Sequence, residues 1–259
     1  MSLSNPRNAL SLLLLGLTAP AHALPLTPQY AGLYENGDGA NSRWVQVTDD
    51  WRGNIYGDQP WGTGIWGLSD HTQVMGLTNS NPFVVQTLST LVNQINFSDQ
   101  RFINEWGVSW STPLLAPIFN NTPGENQDNW ASRFWGYVAI TTPGAYNFGV
   151  LYDDGFRFSL FGAEGSSQSI LKDGLNPRDR LGYSENLLLS AGLYGFQLDA
   201  YERLEAGAVQ LAWWTPEADD WALVPQSHLF ANPIPEPSIP MLMLAGLIAI
   251  GLVTRRARG

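Results

Sequence analysis

Between residues 146 and 160 the chain alternates apolar and other residues at period two, on both sides of one acidic turn. Tyr146, Phe148, Val150 and Tyr152 fall on one face, and Phe156, Phe158 and Leu160 continue the pattern after Asp153-Asp154-Gly155. Period two is the repeat of a half-buried strand, so the stretch reads as strand, tight turn, strand. Two readings of the acids stay open. Asp-Gly is a hairpin signal, because glycine accepts φ > 0 and aspartate bonds its own backbone. Adjacent carboxylates at a strand end are also hard oxygen donors for calcium, which takes about 6–8 oxygens and so needs further ligands.

Composition narrows the class. Of 259 residues only 14% are charged, while 12% are aromatic, with 11 tryptophans and 26 glycines. That balance fits a β-rich exported domain better than a helical cytosolic enzyme. A net charge of -10 with 13 Lys plus Arg argues against nucleic-acid binding, which needs basic patches. The absence of cysteine removes disulfides, thiolate nucleophiles and cysteine zinc sites.

Other segments supply further candidates. Tyr194, Phe196, Leu198 and Ala200 form an alternating strand, Val209, Leu211 and Trp213 another, with Gly207 between them. Phe83 to Phe97 is ambiguous: Val84, Leu88, Leu91, Val92 and Ile95 have helical spacing, but the β-branched content favours strand. Gly162 to Gly182 reads as a long polar insertion, in which Asp173, Asn176 and Asp179 are candidate ligands for calcium or for sugar hydroxyls. Asp219 and Asp220 in the loop from Pro216 to Trp221 are weaker candidates of the same kind. Trp61 and Trp66 form a candidate sugar-stacking pair, against the alternative that tryptophans here plug the core.

Several pieces in order carry a resemblance. They are Phe134-Trp135-Gly136-Tyr137, then Pro143-Gly144-Ala145-Tyr146-Asn147-Phe148, then Asp153-Asp154-Gly155-Phe156-Arg157. Gly192-Leu193-Tyr194, Tyr201-Glu202 with Gly207-Ala208, and Leu211-Ala212-Trp213 follow. Over about residues 90–230 this order resembles the protective-antigen-type (PA-fourteen) carbohydrate-binding module, with Tyr152 where that family has serine. The resemblance implies an all-β fold, an antiparallel β-sandwich. It also implies that Asp153 and Asp154 ligate calcium, which in the yeast adhesin branch holds a sugar's hydroxyls, and that a cis peptide joins them. Several members of the family keep the fold without binding sugar.

The ends read as export signals. Arg7, the apolar run Ala9 to Leu17 and the small residues Ala21 and Ala23 around His22 give a signal peptide over residues 1–23, cleaved after Ala23. At the other end, Pro235-Glu236-Pro237, the apolar run Ile239 to Val253 and the basic Arg255, Arg256 and Arg258 resemble the PEP-CTERM sorting signal. That resemblance implies an exosortase-type membrane enzyme as partner. About 15 apolar residues reach roughly 22 Å, short of the roughly 30 Å hydrocarbon core. Such a marginal single transmembrane helix suits a transient anchor, its arginines cytoplasmic, although a permanent one stays open.

The expected organisation is therefore a signal helix at 1–23 and an exported β-sandwich at 24–230, with its family-like core at about 90–230. A Pro-rich linker follows at 231–238, then a hydrophobic helix and basic tail at 239–259. The expected function is calcium-dependent binding of a glycan or exopolysaccharide at the cell surface, in the periplasm or in the extracellular matrix. The alternatives are a biofilm matrix protein without a small ligand and, least, a glycoside hydrolase. No Gly-x-Ser-x-Gly elbow occurs, and Ser69-Asp70-His71 is contiguous in sequence rather than a spatial triad. Adjacent Asp153 and Asp154 are poorly placed to flank a glycosidic bond, so no catalytic residue is assigned.

Overall fold

A computed structural model describes residues 26–53, 63–99, 101–102, 128–172, 181–184 and 186–233. In chain order its strands are β1 (Tyr30–Ala31), β2 (Ala40–Val47), β3 (Val84–Val92), β4 (Asn96–Ser98), β5 (Trp130–Ile140), β6 (Gly144–Asp153) and β7 (Gly155–Phe161). There follow β8 (Ser167–Lys172), β9 (Leu181–Tyr183), β10 (Leu187–Leu189), β11 (Gly192–Glu202), β12 (Ala208–Trp214), β13 (Ala222–Leu223) and β14 (Leu229–Phe230). An α-helix, α1 (Leu68–Val74), lies between β2 and β3.

These strands form two antiparallel sheets. The larger runs β3-β2-β5-β11-β7-β8, with β1 beside β11 and β14 beside β5. The smaller runs β10-β6-β12-β13, with β4 on β12 and β9 on β6. Residues before position 90 belong to the sandwich, since β2 pairs with β5 from Asn41–Trp135 to Gln46–Trp130.

The alternation read in the sequence fills the core between the sheets. Phe156, Phe158 and Leu160 of β7 and Tyr194, Phe196 and Leu198 of β11 meet Tyr146, Phe148, Val150 and Tyr152 of β6 and Leu211 of β12. Phe148 stacks on Phe158 across the two sheets at 5.4 Å between ring centroids, and Trp44 of β2 meets Phe97 of β4 edge-on at 5.2 Å. Burying each such ring is worth about 1.5–3 kcal/mol.

Two expectations about connections are corrected. β6 and β7 are not a hairpin: β6 pairs with β12 in the smaller sheet and β7 with β11 in the larger, so the chain changes sheets at Asp153-Asp154. Alternation fixes which face is buried, and it is equally satisfied by two strands of one sheet or by two strands facing across a core. β11 and β12 likewise lie in different sheets, joined by residues 203–207.

Two smaller expectations also change. The helical spacing within 83–97 is overridden by pairing, as Val84–Val92 is a strand along β2. The insertion after Gly162 contains β8, which pairs with β7 from Phe156–Lys172 to Phe161–Ser167.

The outer face of the larger sheet is covered at one end. There α1 and its flanks bury Trp51, Ile65, Leu68, Val74 and Met75 against Val45, Ala131 and Tyr201. Among the described residues, no helix is long and apolar enough to cross a membrane. The expected signal helix with Ala21 and Ala23 lies outside the described residues. So do Pro235, Glu236 and Pro237, the apolar run, and Arg255, Arg256 and Arg258.

Candidate functional site

The two sheet-changing connections lie side by side at one end of the sandwich. β6 ends there at Asp153, β11 at Glu202 and β4 at Ser98, while β5 and β12 begin there at Trp130 and Ala208. The register makes them neighbours: Asp153 is opposite Ala208, Ser98 opposite Ala208 on its other side, and Glu202 opposite Trp130. Four of these five ends bring acids. Asp99 follows β4, Asp128 precedes β5, Asp153 and Asp154 close β6, and Glu202 closes β11.

Three of the acids hold the 203–207 connection by its backbone. Arg203 N–H donates to Asp154 Oδ2 at 2.8 Å, and Gly207 N–H donates to Asp99 Oδ2 at 2.9 Å. The Glu205 N–H donates to the Asp128 carboxyl. Glu205 sits at φ 79, a left-handed conformation that β-carbon-bearing residues adopt only at a steric cost. Asp99 Oδ1 also accepts the Phe102 N–H at 2.6 Å. The peptide between Asp153 and Asp154 is cis, and Asp154 N–H donates to Tyr201 O at 2.9 Å. Gly155 is required next to it: a β-carbon there would collide with Oη of the wholly buried Tyr201.

Burial sets the electrostatics. Asp153 and Asp154 are 4% and 5% exposed. Burial pushes the Asp154 carboxyl up to about 6, and the negative Asp128 adds to that. The Arg203 N–H, a hydrogen bond with the Asp153 carboxyl and the Arg203 charge oppose it. Asp128 is also pushed up to about 6, by burial and then by the charges of Asp49 and Asp99. Glu202 is the extreme case. It is fully buried, and burial followed by the charges of Asp128, Asp154, Asp99 and Asp153 pushes it well above the usual glutamate range. Among the described residues neither Glu202 carboxyl oxygen has a hydrogen-bond partner.

Such an arrangement can bind a cation or hold protons. Arg203, the cation acting on Asp154 and Asp128, lays its guanidinium 5.4 Å over the Trp66 ring. Hard oxygen donors suit calcium, and an orphaned buried carboxylate beside Asp153 and Asp154 fits the charge such an ion would neutralise. Among the described residues, no three His, Asp or Glu side chains converge as a ready-made metal cage. A calcium ion held by Asp153 and Asp154 would draw its other oxygens from backbone carbonyls, water or the ligand.

The other sequence candidates divide. Asp219 and Asp220 are exposed in the loop after β12, whose far end pairs Trp214 with Asn147. Seven residues of strand, roughly 23 Å at about 3.3 Å each, separate that loop from Asp153, so these two are not part of the site. Trp66 is only 4% exposed and covered by Arg203, so it is a core side chain and not a stacking platform. Trp61, Asp173, Asn176 and Asp179 lie outside the described residues. Sequence reading missed Asp99, Asp128, Glu202 and Arg203. The signal shared by the three acids is a carboxylate beside the end of a strand, which becomes a cluster only once the strands are paired.

No protein-family model matches the chain, and no curated protein matches it. Among solved structures it is similar to an anti-sigma factor domain-containing protein from Clostridium clariflavum. That match has 20% identity and a TM-score of 0.47, and covers 82% of this chain and 52% of that one. It is also similar to the Epithelial Adhesin 6 A domain from Candida glabrata in complex with Galb1-3GlcNAc, at 15% identity and TM-score 0.48, covering 80% of this chain and 92% of that one. A third is a PA14 sugar-binding domain from an RTX adhesin, at 14% identity and TM-score 0.44, covering 75% of this chain and 99% of that one. The chain spans about half the length of the two anti-sigma factor domain-containing proteins it matches.

Proposed function

We propose that this chain is an exported, non-catalytic glycan-binding protein. Asp153 and Asp154 at its acidic end would hold a calcium ion, which would offer coordination to a sugar's hydroxyls. The observation that carries the proposal is the orphaned, fully buried Glu202 carboxyl set among Asp99, Asp128, Asp153 and Asp154. Five acids within one electrostatic neighbourhood, with Arg203 as their nearby cation, leave a negative excess that a divalent ion offsets better than shared protons at neutral pH. When bound, calcium supplies Lewis-acidic coordination sites for hydroxyl oxygens. The protein fixes the Asp154 and Asp99 carboxylates by bonding them to the backbone N–H groups of Arg203 and Gly207.

A catalytic role is disfavoured by the same hydrogen bonds. Asp154 and Asp99 are committed to holding a connection, whereas glycoside cleavage needs two carboxyls facing each other across an open cleft. The localisation proposed is the cell surface, periplasm or extracellular matrix. The N-terminal signal would direct export and the Pro235-Glu236-Pro237 tail would be sorted by an exosortase-type enzyme.

The test is a panel of immobilised neutral glycans, probed with the intact chain in calcium and in chelator, beside Asp153→Asn plus Asp154→Asn. Retention that needs both calcium and the two aspartates is expected. Retention of the same glycans in chelator, or by the double variant, would remove calcium from the binding mechanism, and no retention on any glycan would favour a matrix protein without a small ligand.

A further inference from the structure

The outer face of the larger sheet carries a second feature, beside α1 and three residues along the strands from the acidic end. Directly opposed residues of antiparallel neighbours share a face. One row across the sheet therefore reads Ser89, Arg43, Arg133, Asp199 and Arg157, on β3, β2, β5, β11 and β7. The next row on that face, two residues along each strand, reads Leu91, Asn41, Trp135, Gln197, Ser159 and Ser169. Three arginines against one aspartate leave this band positive in a chain of net charge -10.

Its acid is withdrawn and its cations are presented. Asp199 is wholly buried, receiving Arg133 Nε at 2.6 Å, an Arg157 terminal nitrogen at 2.9 Å and Gln197 Nε2 at 2.9 Å. The Arg133 and Arg157 side chains are 32% and 39% exposed. Each has five N–H donors, so the bond to Asp199 fixes the group and leaves others to donate. Trp135 stands beside them on the central strand β5, 38% exposed, unlike the buried Trp44, Trp51, Trp66 and Trp130.

We propose that this face binds an acidic polysaccharide, with uronate carboxylates on Arg133 and Arg157 and a sugar ring on Trp135. The geometry decides among polymers. Strand β5 is paired on both sides, so its face offers side chains and no free backbone groups, which leaves no room for a peptide added as a strand. A guanidinium fork matches a carboxylate with two parallel hydrogen bonds, and an exposed indole presents a flat amphipathic face. Six strands at about 4.8 Å give a band of roughly 24 Å, room for several sugar units of an extended chain. The site is separate from the acidic end, and binding here requires no calcium.

The test uses the full-length protein with polygalacturonate as probe, measured in chelator so that the calcium reading neither helps nor hinders it. Binding is expected, weakened as salt rises, and absent for the carboxyl-reduced, neutral polymer. Trp135→Ala is expected to lower affinity about tenfold or more, a loss of at least one tenfold step in Kd, with an unchanged melting temperature. Arg133→Lys plus Arg157→Lys keeps the charge and loses the forks, and is expected to weaken binding while preserving the fold. The proposal is overturned by an absence of binding, by wild-type affinity in both variants, or by equal binding of the neutral polymer. Equal competition by single-stranded DNA or a sulfated polymer would overturn it too, because carboxylate recognition would then not be the basis.

Discussion

Glu202 shows what one residue contributes at the acidic end. Its folded-state acidity is shifted so that the proton is held more tightly than in the unfolded chain, whose ordinary value is 4.5. For an acid raised in this way, the stabilising contribution is fully present below pH 4.5 and is lost as pH rises through the folded value. Replacing it by an uncharged isostere removes that loss. Glu202→Gln is therefore expected to raise the melting temperature of the chelator-treated chain at pH 7.5, with the gain vanishing near pH 4.5, followed by thermal denaturation across pH. A gain of the same size at both pH values would mean that packing, and not ionisation, distinguishes the two side chains.

At the scale of elements, the outer row shows how one side chain ties three strands and a helix. Asp199 of β11 takes Arg133 from β5 and Arg157 from β7, and His71 of α1 places Nε2 3.8 Å from it. That ring also makes a 2.9 Å hydrogen bond with Ser132 O, and burial holds its pKa below the ordinary value. Breaking a buried ion pair by removing one partner costs about 3–5 kcal/mol, and the partly exposed arginines discount that. Asp199→Asn is expected to cost roughly 2–3 kcal/mol in urea denaturation, with an unchanged m value. A loss of under about 0.5 kcal/mol, the scale of an exposed pair, would show that the arginines find water as readily as they find Asp199.

The elements also show what was legible in the chain. The faces of β6, β7, β11 and β12 follow directly from Tyr146 to Leu160, Tyr194 to Ala200 and Val209 to Trp213, because period two is a local property. Partner choice is not local. The turn chemistry of Asp153-Asp154-Gly155 fits a hairpin as well as a change of sheet, and only the shared core of Phe148 and Phe158 decides between them. The same limit governed the site. Asp153 and Asp154 stand out as neighbours in sequence, whereas Asp99, Asp128 and Glu202 join them through the pairing of β4, β12, β6, β11 and β5. Tryptophans misled for the converse reason: Trp66 looks like a platform by composition and is buried beneath Arg203, while Trp135, in a run that reads as strand, is exposed.

Seen whole, the molecule separates its charges. Acids gather at one end of the sandwich where the strands terminate, and three arginines lie across the outer face of the larger sheet. With no cysteine in the chain, stability rests on the aromatic core between the sheets and on whatever offsets the acidic end. Calcium is the counterion we propose for that end. The direct measurement is calorimetric titration of calcium into the intact chain and into Asp153→Asn plus Asp154→Asn. Saturable binding, lost in the double variant and accompanied by a higher melting temperature in the unmodified chain alone, is the expected result. Absence of binding to the unmodified chain, or undiminished binding to the variant, would contradict the proposal and leave Asp154, with Asp99 and Asp128, as a group that holds residues 203–207 in place.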